Sequence, residues 1–383
     1  MMERTTLGEV LIDIQAGKSF LTAETIARPD ELGVLKVSAI TWSKFQPNEA
    51  KALKSEYSPA SSHRVRSGDF IISRANTKEF VGAVVLVEED HPNRLLSDKT
   101  LRLVVDDTQV SKEFLLYALR SKLARDHIEE LATGTSDSMR NISHGVIRSV
   151  PIPFTDIDLQ REIAFGLKGK FTEVETARNA VMGQLRDVTA LTDSIIFDSV
   201  RAANSPERLG DVLDEVKHGI GADWASYPVL GATRDGLAPA KEPPGKQAPK
   251  YKPATPGTVF YNPMRILIGS IAYVDDDDGS GITSPDYVVL RGKSGTVDSR
   301  WFYYWLRSPL GARCILSLAR GAVRERMLFN RLAEGEIALP SYAEQKRASA
   351  ALKELKPLKR ALESRLSEIN RLPQKILAAA FEM

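Results

Sequence analysis

Two long stretches of the chain, 159–195 and 348–376, carry apolar residues at alternating three- and four-residue steps. Such spacing places one narrow apolar stripe along a helix, which is typical of a coiled-coil seam. With the flanking residues, each stretch covers about 40 residues and would reach roughly 60 Å at a rise of 1.5 Å per residue. Because the two stretches match in length, we predict that they pair as an antiparallel coiled coil.

Several residues in these stretches oppose a continuous helix. Gly166, Gly169 and Gly183 each cost about 1 kcal/mol relative to alanine in a helix interior. Pro357 and Pro373 lack an amide hydrogen and clash with the preceding turn, so we expect kinks or a break at both prolines. The second proline is expected to begin a separate, short last helix.

Outside the long stretches the pattern is mixed. β-Branched runs bounded by turn residues predict strands, and three- and four-residue apolar spacing predicts helices. The predicted strands are 68–73, 81–87, 100–105, 258–261, 266–274 and 287–290, and the predicted helices are 112–131 and 299–318. The Pro- and Lys-rich stretch 238–256 is expected to be a long loop that a ligand orders.

The chain repeats itself in order over about half its length, which is too long for a solenoid repeat. The matching pairs are 7–11 with 209–213, 114–121 with 301–308, Gly134 with Gly321, and Pro153 with Pro340. The sequence therefore predicts two similar globular units, each with its own core. Its 383 residues are enough for two or three domains.

Composition narrows the class of protein. Hydrophobic content of 43% and charged content of 27% are ordinary for a soluble globular protein. The single cysteine, Cys314, excludes a disulfide framework, makes a zinc cluster unexpected and favours a reduced, cytoplasmic location. The first residues contain no apolar run that would serve as a signal peptide. Since no stretch approaches the roughly 20 apolar residues of a membrane span, we expect no membrane partner.

The net charge of +2 gives no global field, so binding to nucleic acid would depend on local patches. Cations cluster at 63–78, at 140–148 and at 300–331, where seven arginines face one acid. A solvated face is one interpretation of such clusters. The functional interpretation is favoured because the Gly134 and Gly321 loops occupy matching positions and both carry cations with polar neighbours.

Two segments resemble ligand-binding motifs, but each lacks a residue that the motif requires. Residues 17–19 imitate the end of a phosphate-binding loop, but Ile12 stands where its first glycine is needed. The acidic run 275–278 resembles a calcium loop, yet Pro285 occupies the place of the bidentate glutamate, so we expect an acidic hairpin tip. The five histidines show no metal-ligand spacing, and no glycine-rich cofactor fingerprint is present. We therefore predict that the chain is not an enzyme and binds no metal or cofactor itself.

Two α/β units of about 150 residues that alternate with two long helices resemble the specificity subunit of a type I restriction-modification system. The resemblance covers essentially the whole chain, and its strength lies in the order of short motifs, repeated twice. The matching motifs are Leu-Gly-(Glu/Asp)-Val at 7–10 and 209–212, Gly-Asp-Phe-Ile at 68–71, the loop 134–143, the prolines Pro153 and Pro340, and the helix starts at Gln160 and Gln345. The second copy departs from the pattern at 328–330, where Leu-Phe-Asn replaces Asn-Ile-Ser.

The resemblance implies a mixed α/β (α+β) fold with two tandem target recognition domains, separated by two long helices that pair as an antiparallel coiled coil. The implied boundaries are 1–155 for the first recognition domain, 156–203 for the central spacer helix, 204–341 for the second recognition domain and 342–383 for the C-terminal spacer helix.

The resemblance also implies a function. Each recognition domain would read one half of a split, asymmetric target in double-stranded DNA. The helices would set the gap and dock two methyltransferase subunits, which hold S-adenosylmethionine and methylate adenine; a motor-nuclease restriction subunit is an optional further partner. A separator of roughly 60 Å spans more than one turn of B-DNA, about 34–36 Å.

Candidate DNA contacts follow from side-chain chemistry, because arginine and lysine suit phosphates whereas amides and hydroxyls suit base edges. The cationic candidates are Arg64, Arg66, Arg74, Lys78 and Arg140 in the first copy and Arg265, Arg320, Arg324 and Arg326 in the second. The candidate base readers are Asn141, Ser143 and Asn330. A plain surface charge is the alternative for each residue.

Two other functions remain open from the sequence. One is the recognition subunit of a related restriction or phage-defence system with a different enzyme attached. The other is a coiled-coil adaptor that binds no DNA, for which binding to partners would not depend on salt in the manner of phosphate contacts.

Overall fold

The computed structural model describes residues 2–42, 44–54, 58–137, 139–201, 203, 206–319 and 326–381. It divides into two compact units. Unit 1 comprises Met1–Asn179 and Leu366–Met383, and unit 2 comprises Ala180–Arg365. Each unit combines antiparallel sheets and short helices with one part of each long helix. The predicted mixed α/β (α+β) class with two tandem domains is therefore confirmed.

Unit 1 holds most of its strands before its short helices. The strands are β1 (Glu3–Thr6), β2 (Leu11–Ala16), β3 (Thr22–Ile26), β4 (Gly33–Leu35), β5 (Ala50–Leu53), β6 (Arg64–Val65), β7 (Phe70–Ser73), β8 (Ala75–Asn76), β9 (Val84–Leu86), β10 (His91–Leu95), β11 (Thr100–Val105), β12 (Thr133–Ser136), β13 (Met139–Asn141) and β14 (Pro151–Phe154). The helices are α1 (Lys112–Ala118), α2 (Lys122–Leu131), α3 (His144–Ser149) and the start of α4 (Ile157–Arg201).

The central sheet of unit 1 has the order β2-β11-β7-β9, with all neighbours antiparallel. Successive side chains of a strand point to opposite faces. Phe70 and Ile72 lie in one core with Leu115 of α1, whereas Ile71 lies in a second core with Val65. Val65 belongs to the five-stranded sheet β3-β5-β4-β10-β6. The central sheet is therefore buried on both faces, which fixes its register.

Unit 2 repeats the central sheet with fewer surrounding strands. Its strands are β15 (Pro206–Arg208), β16 (Leu213–Glu215), β17 (Leu230–Thr233), β18 (Gly236–Pro239), β19 (Lys252–Ala254), β20 (Val259–Tyr261), β21 (Ile271–Tyr273), β22 (Gly281–Thr283), β23 (Val288–Gly292) and β24 (Glu336–Ala338). Its helices are the end of α4, then α5 (Leu209–Val212), α6 (Ser299–Arg307), α7 (Pro309–Leu318), α8 (Phe329–Leu332) and the start of α9 (Tyr342–Phe381).

The four-stranded sheet of unit 2 has the order β16-β23-β20-β21. As in unit 1, its side chains alternate between two cores. Val259 and Tyr261 pack with the fully buried Trp301 of α6, and Phe260 packs with Ala254 on the other face. Trp301 is anchored by a 2.9 Å hydrogen bond from its Nε1 to Ser199 Oγ on α4, so the long helix is tied to this core.

The predicted helices 112–131 and 299–318 are each two helices, because a serine stops the first and caps the second. Ser121 Oγ donates to Ala118 O and accepts from Ala124 N. Ser308 does the same with Trp305 O and Leu310 N, and Pro309 supplies a first residue that needs no hydrogen-bond acceptor. The apolar spacing continues across both breaks, so periodicity alone missed them.

Two other predictions for unit 2 are wrong in part. Within 266–274 only Ile271–Tyr273 is a strand, whereas Ile266–Ile268 is a 3₁₀ turn that ends at Gly269 with φ of 84°. Such a φ favours glycine and reverses the chain. The stretch 238–256 is not one long loop, because it contains β19, which pairs with β22.

Both long helices are continuous, so the expected break at Pro357 and the separate last helix from Gln374 are wrong. An interior proline costs about 3 kcal/mol in a helix. The last turns of α9 offset that cost by packing into the core of unit 1, where Leu377 is buried and Phe381 meets Phe114 edge to face at 5.5 Å.

The buried positions of the long helices follow a heptad spacing. In α4 they include Leu167, Val174, Val181 and Val188, each seven residues after the one before. In unit 1 the start of α4 and the end of α9 share one core, and in unit 2 the end of α4 and the start of α9 share the other. Each unit thus holds the two helices in opposite chain directions, in agreement with the predicted antiparallel seam.

Candidate nucleic-acid interface

In unit 1 a small sheet brings two distant candidate segments together. Its order is β12-β13-β8, and it pairs Arg140 with Asn76 and Asn141 with Ala75. Just beside the sheet, Ile142 N donates to Arg74 O at 3.0 Å. Residues 74–78 and the Gly134 loop therefore form one surface, as the shared cationic character of these segments had suggested.

The Gly134 loop is held in a tight turn. Gly134 has φ of 146°, and an added Cβ would lie 2.4 Å from Met139 O. Lys78 N donates to Asp137 O at 2.9 Å, which ties the loop to the segment before β9. The turn thus needs glycine, and its polar neighbours are presented at a fixed place.

The candidate cations of this surface differ in their freedom. Arg74 and Lys78 are exposed and, within the described residues, their side chains make no hydrogen bond or ion pair. Arg140 is half-buried, with Nη2 2.8 Å from Asp137 Oδ1 and Nη1 3.3 Å from Gly134 O. The hydrogen bond from Arg140 lowers the pKa of Asp137. Arg140 therefore braces the loop, and its contact with DNA stays a prediction.

The two polar candidates of unit 1 lie at the end of this sheet. Ser143 is exposed, but its Oγ caps α3 by accepting from Val146 N at 3.2 Å. Asn141 is half-buried in β13, and its side-chain amide has no partner within the described residues. Asn141 is thus the freer of the two for base contact.

Arg64 and Arg66 lie near a different sheet, where β6 pairs with β10. Arg64 donates from Nη1 to Pro92 O, and the side chain of Arg66 is exposed. The strand end is braced by Arg102, whose Nε lies 2.7 Å from Asp69 Oδ1 and whose Nη2 donates to Arg64 O. Arg64 therefore belongs to a different sheet from Arg140.

Two exposed lysines that were not among the candidate DNA contacts lie near Arg74, Lys99 bonded to it and Lys18 on the other side of β11. Arg74 N donates to Lys99 O at 2.9 Å, and Gly17 N donates to Thr100 O at 3.3 Å, which brings Lys18 alongside. The five residues Lys18, Arg74, Lys78, Lys99 and Arg140 are called the cationic surface of unit 1. The 17–19 motif had been judged only as a phosphate-binding loop, so this signal was overlooked.

In unit 2 the described candidates lie near one turn. Arg265 begins the 3₁₀ turn at Ile266–Ile268, is exposed, and has no side-chain partner within the described residues. Met327 N donates to Pro263 O at 3.0 Å, which places Arg326 beside that turn, followed by the exposed Asn330. Arg326 pairs with Asp286 at 3.1 Å. Arg320 and Arg324 lie outside the described residues.

Part of the basic run 300–331 is internal rather than surface charge. Arg300 is buried and bonds Asp275 and Asp276. Arg307 donates from Nη1 to Gly269 O at 3.1 Å and to Ile271 O at 2.9 Å. These two arginines support the fold, so the number of arginines overstates the cationic surface of unit 2.

The acidic run 275–278 is not a hairpin tip. It joins β21 to β22, which belong to different sheets, and its carboxylates bind cations of α9. Lys356 Nζ lies 3.1 Å from Asp275 and 2.9 Å from Asp277. Hydrogen bonds from Arg300 and from Lys356 lower the pKa values of Asp276 and Asp277, respectively. The run is thus an ion-pair network within unit 2, largely buried at Asp275 and Asp278 and exposed at Asp276 and Asp277, and it is here called the acidic clamp.

Across the described ranges, no group of three His, Cys, Asp or Glu side chains is placed to hold a metal ion. Among those same residues, none of the helices combines the length and the apolar character that crossing a bilayer requires.

Comparison with known proteins adds a sequence relative. The chain is 27% identical over 195 residues to the type I restriction enzyme EcoEI specificity subunit of Escherichia coli. The match covers 50% of this chain and 33% of that protein, so the chain spans about a third of that relative's length. No protein-family model matches the chain.

Two solved structures share the fold. A chain from a structure on the assembly and conformational transition of a type I restriction-modification system aligns with a TM-score of 0.64 and 19% identity, over 99% of this chain and 97% of that one. The type I S subunit from M. genitalium aligns with a TM-score of 0.51 and 16% identity, over 100% and 96%. The resemblance found in the sequence is confirmed: the chain is similar in sequence to a type I restriction enzyme specificity subunit over half its length, and it shares the fold of two solved chains from type I restriction-modification systems over essentially all of it.

Proposed function

We propose that the chain is a DNA sequence-specificity subunit, in which unit 1 and unit 2 each read one half of a split, asymmetric target in double-stranded DNA. The observation that carries the proposal is the placement of the free cations. In both units, exposed cations lie on the segment that joins the last two strands in the order of the central sheet. These are Arg74 and Lys78 between β7 and β9 in unit 1, and Arg265 between β20 and β21 in unit 2.

Chemistry supports DNA rather than an acidic protein as the ligand of unit 1. The cationic surface contains both lysine and arginine, and the side-chain amide of Asn141 lies at its edge. Lysine and arginine suit phosphate contacts, whereas a free amide suits the edge of an adenine base. A surface that binds the DNA backbone and also reads base edges needs both cations and an amide.

The divergence of the two units supports an asymmetric target. The segments 74–81 and 263–268 occupy equivalent places but share almost no residue types. Different side chains on the same frame would select different half-sites. Helix α4 has 45 residues and, if straight, a length of about 68 Å, roughly two turns of B-DNA. That length suits two half-sites with an unread gap between them.

Docking of two methyltransferase subunits is the second part of the proposal. The long helices leave large apolar side chains in solvent, above all Phe165 on α4, which is 82% exposed. Leu191 on α4 and Leu358 on α9 are about half exposed. Exposed apolar side chains away from the shared seam suit contact with another protein. Those subunits would hold S-adenosylmethionine and carry out the methylation, with a restriction subunit as an optional addition.

The decisive experiment is single-molecule sequencing of genomic DNA from cells that carry the methyltransferase gene with and without the gene for this chain. A split motif with a fixed gap, methylated only when the chain is present, is the expected result. Identical methylation in both strains would contradict the proposal and favour a system with a different enzyme or an adaptor role. A variant with Lys170→Ala, an exposed lysine of α4, should leave the motif unchanged.

A further inference from the structure

The crossing segment of each unit joins the last two strands in the order of its central sheet, at 74–82 in unit 1 and at 262–269 in unit 2. The two crossing segments have similar backbone surroundings, but their exposed side chains are polar in unit 1 and largely apolar in unit 2. Each begins after the third strand of its central sheet and ends at a glycine with positive φ, Gly82 at 77° and Gly269 at 84°. The strand after each segment is also bonded by an equivalent arginine: Arg120, just after α1, donates to Val84 O at 3.4 Å, and Arg307, the last residue of α6, donates to Ile271 O at 2.9 Å. The two segments therefore occupy the same place in their own unit.

In unit 2 this place carries an apolar tip. Met264, Leu267 and Ile268 are 58%, 56% and 65% exposed, within a segment of six residues. In unit 1 the exposed residues of the equivalent segment are polar or charged, including Arg74 and Lys78. Three large apolar side chains held together in water are unfavourable unless a partner covers them.

The tip is rigid rather than collapsed. Ile266 is buried, and the backbone on either side is fixed by hydrogen bonds from Arg265 N to Asn262 O at 2.9 Å and from Ser270 N to Arg265 O at 3.1 Å. Met264 N donates to Asn262 Oδ1 at 3.0 Å. The exposed side chains thus cannot turn inward without breaking the turn, so the apolar surface is preformed.

Cations surround the apolar tip, which points to DNA as the partner. Arg265 lies within it, and Arg234 lies beside it, since an added Cβ at Gly269 would be 3.8 Å from Arg234 Cγ. Both side chains are exposed and lack partners within the described residues. An apolar tip between free arginines matches the proteins that insert Leu, Ile or Met between base steps while arginines hold the flanking phosphates.

We infer that Leu267 and Ile268 form a wedge that enters the DNA of the unit 2 half-site and partly unstacks one base step, with Arg234 and Arg265 on the phosphates beside it. The inference rests on the proposed function and deepens it. Unit 1, which has no such wedge at the equivalent place, reads its half-site without unstacking. Specificity at the wedge then comes from the ease of deforming the step, and pyrimidine–purine steps are the easiest to deform.

The test uses the complex of this chain with its methyltransferase subunits and duplexes that carry the motif found by sequencing. 2-Aminopurine replaces bases one at a time at positions other than the adenine that is methylated. We expect its fluorescence to rise at one step of one half-site. The double variant Leu267→Ser with Ile268→Ser should abolish that rise and weaken specific binding by about tenfold.

Three comparisons make the result specific. Leu267→Met keeps an apolar side chain and should retain the signal, and Leu21→Ser changes a leucine of unit 1 that is equally exposed, at 58%, and should also retain it. Because the replaced side chains are in solvent, the melting temperature of the double variant should match that of the original chain.

Either of two results would overturn the wedge. Unchanged fluorescence and affinity in the double variant would show that the tip does not enter the duplex. Loss of the methyltransferase subunits from the variant complex would show that the tip docks a protein instead. Absence of any methylated motif in the sequencing experiment would remove the proposed function and the wedge with it, whereas either result above removes the wedge alone.

Discussion

Gln160 and Gln345 make the same three hydrogen bonds, each within its own unit. Gln160 Nε2 donates to Gln109 O at 3.0 Å and to Thr155 O at 2.8 Å, and its Oε1 accepts from Ser111 N at 3.0 Å. Gln345 repeats these bonds with Thr296 O, Pro340 O and Asp298 N, all at 2.9 Å. Both glutamines are fully buried. Each long helix is thereby locked to the loop before the helix that follows the central sheet.

Replacing either glutamine by leucine should destabilise its unit. Gln345→Leu leaves two carbonyl oxygens and one amide hydrogen buried without partners, which costs about 3 kcal/mol of unfolding free energy. Urea unfolding followed by circular dichroism measures the change. Gln184→Leu, an exposed glutamine of α4, is the matched control and should change stability by less than about 0.5 kcal/mol. Equal effects of the two substitutions would show that the three hydrogen bonds of Gln345 do not stabilise unit 2.

The acidic clamp should make unit 2 sensitive to acid. Because the pKa values of Asp276 and Asp277 are lowered in the folded state, their contribution is complete above about pH 5 and is lost as the pH falls through the folded pKa values, below about 4. Hydrogen exchange at pH 6 and at pH 3.5 should show loss of protection around 271–283 before the central sheet of unit 1.

Removing the cation of the clamp should reproduce that loss at neutral pH. Lys356→Ala breaks ion pairs with Asp275, Asp277 and Asp278 and should cost about 2 kcal/mol. As the control, Arg161→Ala removes an exposed pair with Asp158 and should cost about 0.5 kcal/mol or less. If the two variants melt alike in thermal unfolding, the clamp contributes no more than a surface pair.

The cationic surface of unit 1 should bind phosphates in a salt-dependent way. Arg74→Ala and Lys99→Ala should each weaken DNA binding and reduce the slope of log K against log salt by about 1. Fluorescence anisotropy at several salt concentrations measures both quantities. Lys170→Ala is the control and should leave the slope unchanged. A loss of affinity without any change in slope would mean that these side chains do not meet phosphate.

Gly17 should tolerate no side chain. An added Cβ would lie 2.1 Å from Ser97 O and 2.5 Å from Leu96 C, so Gly17→Ala forces apart the backbones that position Lys18 and Lys99. We expect a loss of about 2 kcal/mol in unfolding free energy. Gly166→Ala has open space around it on α4 and should gain about 1 kcal/mol. A neutral Gly17→Ala would show that the two segments are not in close contact.

The apolar periodicity of the sequence was sufficient to predict the two long helices, because an apolar stripe with a seven-residue repeat is buried only when two helices pair along it. It was insufficient where a local hydrogen bond competes with the pattern. Ser121 and Ser308 stop helices whose apolar spacing continues, and Gly269 turns the predicted strand 266–274 into a turn and a shorter strand. These features depend on single side chains or on one φ angle.

The candidate surface was predicted only in part, for a different reason. Arg74 and Arg140 could be named because each follows a recognisable motif. Lys99 joins them through the backbone bond from Arg74 to Lys99, and Lys18 joins through the bond from Gly17 to Thr100, 83 positions further along the chain. Charge counting along the chain does not reveal either bond. Conversely, Arg300 and Arg307 carry the same charge as surface arginines but donate inward. Surface and interior arginines differ in the direction of their side chains, which residue type alone does not reveal.

Arg120 donates to the backbone carbonyl of Val84, and Arg307 donates to the backbone carbonyls of Gly269 and Ile271. Because these bonds end on backbone atoms, they do not depend on which side chains the two segments expose. Substitutions at the exposed positions of 74–81 or 263–268 can accumulate without a change in the sheet beneath them, whereas Val81 and Ile266 are buried in the cores. Under the proposed function, a lineage that carries such a chain would acquire new targets by drift or recombination at these few exposed positions, while the surfaces that meet its partners stay the same.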